Sequence, residues 1–232
     1  MKTVVVCSGG MDSVTLAYHV KKERELSRLV SFDYGQRHKK ELDYAALTAA
    51  DLNVKHDIID ISNIAIYLTG SALTDDVEVP DGHYEEENMR ATVVPNRNAI
   101  MFALAYGVAA GENASAVAAA VHAGDPFIYP DCRPEFLDAF RAMENCALEG
   151  MWDVDFYAPF VNQTKADIAR IGSELNVPFE KTWSCYKGGD QHCGRCGTCV
   201  ERQEALYLAN VPDPTTYIDP DYWAEICRTK DQ

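Results

Sequence analysis

Residues 3–20 read TVVVCSGGMDSVTLAYHV. A run of β-branched residues ends at two glycines, and Asp12 and Ser13 then open a helical pattern over 12–22. Strand, tight turn and helix in that order begin a βαβ unit. The pattern repeats: LVSFDY (29–34) and KHDIIDI (55–61) read as strands, with a helix over 38–52 between them that Asn53 stops. Strands alternating with helices predict a parallel sheet. Further on, a helix is expected from 96 to 111 and a fourth strand of small residues at 115–121. A helix over 134–150 has proline in its first turn. A fifth strand at 154–160 and a helix at 164–175 capped by Thr164 follow. The expected fold is α/β, a doubly wound, mainly parallel five-stranded sheet. One domain over 1–232 is expected, with a cysteine-rich C-terminal segment at 183–210. That segment carries one short helix around 199–209 and then a tail.

The 232 residues are 47% hydrophobic and 25% charged, an ordinary globular balance with enough chain for one sizeable core. The formal net charge of −15 sets the chain against nucleic-acid backbones and anionic membrane surfaces. No long Lys/Arg run offsets it, so a small-molecule substrate is expected and direct nucleic-acid binding is not. No stretch reaches the ~18 apolar residues of a membrane helix, and the N-terminal apolar run is too short for a secretory leader. A soluble, cytoplasmic protein is expected. Eight cysteines in a reducing compartment then point to metal or chemistry rather than disulfides.

In a doubly wound sheet the turn after the first strand opens at the carboxyl edge, where ligands bind. Gly9 and Gly10 bring backbone N–H groups close to a ligand, and the helix behind them supplies unsatisfied donors and partial positive charge. Ser8 and Ser13 add hydroxyls. The turn is an anion cradle, and it is neither a Walker A loop nor a G-x-G-x-x-G fingerprint.

Cys185, Cys193, Cys196 and Cys199 form C-x7-C-x2-C-x2-C. Four thiolates complete a tetrahedral Zn²⁺ and leave no open position, so the site is structural. An iron–sulfur cluster is the rival, though no Cys-Pro follows. His192 is expected to be a bystander. Cys7 and Cys146 read as small core hydrophobes, and Cys132 falls in a polar loop. Residues 70–95 are acidic, proline-punctuated and aperiodic; a stretch of that kind is a lid, a partner contact or mobile.

Residues 8–13, SGGMDS, resemble the pyrophosphate-binding loop of the PP-loop adenylating ATPases. The resemblance implies ATP cleaved between its α- and β-phosphates, and hence Mg²⁺ to neutralise charge. Ser8, Gly9, Gly10, Met11, Asp12 and Ser13 are then the expected nucleotide contacts. Asp12 either helps hold the metal or simply favours the helix dipole.

FDYGQRH, VPNRNAIMF, HAGDPFIYPDCRPEF, NQTKADI and TWSCYKGGDQHCGRCGTCVER, in order and spanning residue 4 to about 210 together with the loop, resemble the QueC family of 7-cyano-7-deazaguanine synthases. That resemblance implies an ATP-dependent ligase making the nitrile from 7-carboxy-7-deazaguanine and ammonia. The carboxylate is adenylated, ammonia displaces AMP, and a second adenylation of the amide releases the nitrile. Against that chemistry, Arg37 and His38 are expected near the nucleotide. Arg97 is expected to face phosphates or the substrate carboxylate, and Lys165 to reach a phosphate. With Asp12 these two make the candidate catalytic set. Asp125, Tyr129, Asp131 and Arg133 are the candidate substrate contacts: Asp125 and Asp131 for N–H groups, Arg133 for the carboxylate, Tyr129 or Phe127 for stacking. A tRNA thiolase or lysidine synthetase is the nearest alternative enzyme, and a silent nucleotide-binding or zinc-stabilised interaction protein the alternative of another class. A homodimer is expected, with residues 70–95 long enough to contact a partner subunit.

Overall fold

The computed structural model describes residues 1–122, 124 and 128–230. Strands β1 (Lys2–Val6), β2 (Glu25–Asp33), β3 (Lys55–Asp60), β4 (Ala116–Ala118) and β5 (Asp155–Tyr157) pair in the order β3-β2-β1-β4-β5. Every pairing is parallel. The order reverses between β1 and β4, so the loops leaving these two strands diverge and open a crevice between them.

Helices cover both faces, as a doubly wound sheet requires. Side chains of a strand alternate, so Val4 and Val5 of β1 enter different cores. On one face α3 (Arg97–Gly111) and α4 (Pro134–Ala147) pack an aromatic group of Phe102, Tyr106, Phe140 and Phe156. On the other lie α1 (Met11–Glu23), α2 (Lys40–Leu52), α5 (Lys165–Glu174) and α6 (Gly197–Leu208), through Leu16, Ala45, Ile168 and Leu206. Asn53 ends α2 in the left-handed conformation expected of a helix stop. Thr164 caps α5 in a reciprocal pair with Asp167.

Three departures from expectation have physical causes. The strand expected at 29–34 begins at Glu25, because the ladder to β1 carries polar residues that a hydrophobicity pattern passes over. The fourth and fifth strands are only three residues each; after β4 the chain leaves the ladder at once, and Ala119, Ala120 and Val121 line the crevice. The expected tail contains a helix, α7 (Tyr222–Lys230), whose Trp223 ring lies 5.3 Å from that of Tyr207 on α6.

Candidate functional site

The crevice begins at the glycine turn. Gly9 has φ +86, and a Cβ there would sit 2.1 Å from the Glu41 carbonyl oxygen. Gly9 therefore answers to α2 pressing on the loop, not only to a ligand. Gly10 has ordinary extended backbone, and no side chain caps α1, so its first-turn N–H groups face the crevice for an anion. The Ser13 hydroxyl turns inward. It accepts from the Ser8 N–H at 3.1 Å and donates to the Gly10 carbonyl at 3.1 Å, setting the shape of the loop.

Beside the loop lies a group of charges drawn from four segments. Lys165, at the start of α5, sits 3.1 Å from Asp12 Oδ2 and donates to Glu201 Oε2 at 2.7 Å. The Nε2 of buried His122, just past β4, is 3.7 Å from Asp12 Oδ2. Asp12 Oδ1 is buried and has no hydrogen-bond partner among the described residues. A carboxylate oxygen left this way favours a cation, and the donor type suits Mg²⁺.

Of these, Asp12, Lys165 and Glu201 line one cavity of about 290 Å³. Its lining also includes Tyr34, Glu41, Arg97, Tyr129 and Tyr186. Arg97 donates to the Tyr34 hydroxyl at 3.2 Å. Burial pushes the Tyr34 hydroxyl up to about 12. It pushes the Glu41 carboxyl up to about 7, against the opposing pull of Arg97 and of a hydrogen bond from Gln36. Tyr129 shares a 2.8 Å hydrogen bond with Thr92.

Of the residues expected from sequence, Ser8, Gly10, Met11, Asp12, Ser13, Arg97, Tyr129 and Lys165 meet around this cavity. Gly9 stands behind it. Arg37 does not line it: its Nη1 donates to the Val77 carbonyl at 2.7 Å and holds the 70–95 stretch. His38 is exposed and lies against Gly188, beside a separate small hollow. Asp131 accepts the Asn98 backbone N–H at 3.2 Å, closing the first turn of α3. Arg133 is exposed at the head of α4. Asp125 and Phe127 lie outside the described residues. Cys146 is exposed, not a core residue, whereas Cys132 is buried in the cavity wall and accepts from Asn98 Nδ2 at 3.3 Å.

Several lining residues carried no sequence signal of their own. Val79, Tyr84, Glu85, Met89 and Thr92 show that the aperiodic stretch is a wall of the cavity. Glu201 stood inside a segment already singled out, in the CVER that ends the last motif, and His122, which meets Asp12 without lining the cavity, is the first residue of HAGDPF. Trp183 and Thr198 come from the cysteine-rich segment, which is therefore a second wall and not an appendage.

The four cysteines converge, with all sulfur atoms within 4.8 Å of one another and Cys193 and Cys199 at 3.9 Å. A tetrahedral Zn²⁺ with bonds of about 2.3 Å spaces its sulfurs about 3.8 Å apart, so a single ion fits this spacing. A multi-iron cluster between the thiolates would force them wider. Backbone N–H groups of Arg195 and Cys196 point at Cys193 Sγ at 3.3 Å, the outer shell a thiolate needs. His192 is outside the cluster; its Nε2 accepts from the Ser184 N–H and its ring rests on Trp183. His83, Glu204 and Cys227 also approach one another, but His83 Nδ1 accepts from the Glu85 N–H, which leaves its proton on the nitrogen facing Glu204.

The two walls are locked together. Asp81 takes Lys187 at 2.6 Å and Arg195 at 3.0 Å, and the Gly82 N–H donates to the Arg195 carbonyl. A Cβ on Gly197 would meet Met89 Sδ at 2.9 Å, so the wall rests directly on the start of α6.

The family model described as queuosine biosynthesis protein QueC matches residues 2–210. A protein of Rhizobium meliloti (strain 1021) named 7-cyano-7-deazaguanine synthase is 68% identical over 223 residues, covering 96% of this chain and 94% of that protein. One of the same name from Brucella anthropi is 64% identical, covering 96% of each. Among solved structures, NMN synthetase from Francisella tularensis aligns with a TM-score of 0.52 at 17% identity, over 99% of this chain and 86% of that one. That likeness is one of fold.

Proposed function

This chain belongs to the QueC family of queuosine biosynthesis proteins, and on that premise we propose that it is an ATP-dependent carbon–nitrogen ligase converting 7-carboxy-7-deazaguanine and ammonia to 7-cyano-7-deazaguanine (preQ0). The observation that carries the reading is the meeting, in one cavity, of an uncapped helix N-terminus with Asp12, Lys165 and Arg97. A carboxylate is a poor electrophile, and transfer of AMP to it creates a leaving group that ammonia displaces. The same cradle then serves the second activation, on the amide oxygen.

The roles follow from position. The N–H groups of Gly10 and Met11 and the Ser8 hydroxyl hold the β- and γ-phosphates, which leaves the α-phosphorus open to attack. Lys165 reaches the phosphate oxygens. Asp12 Oδ1 holds Mg²⁺, which supplies charge neutralisation on the phosphates when bound. Arg97 takes the substrate carboxylate in a bidentate pair, and Tyr129 and Tyr34 offer ring faces for the base. Cys185, Cys193, Cys196 and Cys199 hold one structural Zn²⁺. The chain works as one domain of which residues 183–210 are a part. The thiolates suit the reducing cytoplasm, and no described helix is long and apolar enough to cross a membrane.

Incubation with 7-carboxy-7-deazaguanine, ammonium, ATP and Mg²⁺ tests the reading. The expected products are the nitrile, AMP and pyrophosphate. Absence of both AMP and nitrile overturns it, and AMP formed only when tRNA is added points to a tRNA-modifying ligase instead. Metal analysis is expected to give one zinc per chain and no iron.

A further inference from the structure

Glu201 sits two residues beyond the last knuckle cysteine, on the first turns of a helix whose N-cap is itself a cysteine, Cys196. Its side chain is 10% exposed and its carboxylate is 2.7 Å from Lys165 Nζ, which among the described residues also meets the Asp12 carboxylate at 3.1 Å. The helix cannot easily turn or slide. The next residue, Arg202, is wholly buried, and its guanidinium donates to Thr182 Oγ1 at 2.6 Å and to the Phe179 carbonyl at 2.9 Å. Glu201 is thus held from two sides, by the knuckle before it and the buried arginine after it.

We propose that Glu201 is a positioning residue for the phosphate-activating end of the cavity: the knuckle delivers its carboxylate, which sets Lys165 against Asp12. The inference rests on the reading of Lys165 and Asp12 given above. A lysine side chain has four rotatable bonds and much rotamer freedom to lose. Left alone beside Asp12, the ammonium pairs face to face with that carboxylate and competes with the cation it is meant to hold. A second carboxylate shares the ammonium and fixes it to one side, which keeps Asp12 Oδ1 clear of it. On this view the metal-holding segment is part of the apparatus that acts on ATP, and loss of its metal is felt at the loop 170-odd residues earlier through one side chain.

Glu201→Gln in the full chain tests this, read by metal content, crystal structure and steady-state kinetics, with Glu201→Ala as the second variant should the first fold poorly. The expected variant keeps one metal per chain, and its Lys165 Nζ shifts from the 3.1 Å contact with Asp12 Oδ2 to a face-to-face pair with both oxygens of that carboxylate. Its kcat falls by about 100-fold, the scale of a 1 Å misplacement, while KM for the deazaguanine acid stays within about twofold. Lys165 unmoved in a variant with its metal in place overturns the proposal, as does a kcat near that of the parent. A variant that folds only with its metal lost, and whose Lys165 keeps its present one-sided contact with Asp12 Oδ2, assigns Glu201 to the knuckle alone and also overturns it. If the parent itself makes no nitrile, the functional reading fails, and the crystal structures still judge whether Glu201 sets Lys165.

Discussion

Glu41 sits in an environment far from the usual one for its type. Its carboxyl is held up at about 7, so between the ordinary 4.5 and that value the folded chain keeps a proton the unfolded chain has lost. The sign follows: this group lowers stability as pH rises from about 4.5 through 7, and the full cost is present above 7. Glu41→Gln is expected to match the parent at pH 5 and to exceed it at pH 8 by roughly 1–3 kcal/mol in urea unfolding. Equal differences at both pH values would show that the carboxyl is not held up. The cysteines offer a second check at this scale. Burial pushes the Cys7 thiol up to about 11, whereas Cys146 is exposed. Iodoacetamide on the native protein is expected to modify Cys146 readily and Cys7 only on unfolding, read by peptide mass spectrometry. The general lesson is that Cys146 looked like a core residue because it lies on a helix among apolar neighbours. Which side of α4 faces the sheet was decided by Leu137 and Phe140, and a single cysteine does not reveal it.

Among the elements, the glycine turn and α2 are coupled. Because the carbonyl of Glu41 occupies the space a Cβ on Gly9 would need, Gly9→Ala is expected to cost several kcal/mol, about 2–4 from strain and displacement together. Gly10→Ala has ordinary backbone and Ser8 Oγ at 3.4 Å as its nearest neighbour, and is expected to cost far less in stability. Thermal midpoints of the two variants decide it; equal losses would refute the packing account. Helix and strand identity was legible where the period was long and the caps were local: Thr164 with Asp167, Asn53 at the end of α2. The walls of the cavity were not legible. Asp81 meets Lys187 and Arg195 more than a hundred positions away, and Tyr84 meets Glu204 in the same way. No short window of sequence contains such partners. α7 was missed because nine residues are too short a window for its helical period to stand out.

At the scale of the whole molecule the knuckle supports more than itself. Chelation of its metal is expected to lower the thermal midpoint and to expose four further thiols to alkylation. The cavity is expected to open along its 79–92 side, seen as faster proteolysis there, because that wall stands on Gly197 and Arg195. If the chelated protein keeps its midpoint and its wall, the metal does not support the site. The Trp183 backbone N–H donating to the Gly9 carbonyl at 2.9 Å has one more consequence, which concerns synthesis. The glycine turn is translated well before Trp183, the residue whose N–H completes its shape. A nascent chain halted before Trp183 carries the phosphate loop without the segment that finishes it. If the proposed function holds, interrupted translation then yields a fragment expected not to turn over ATP.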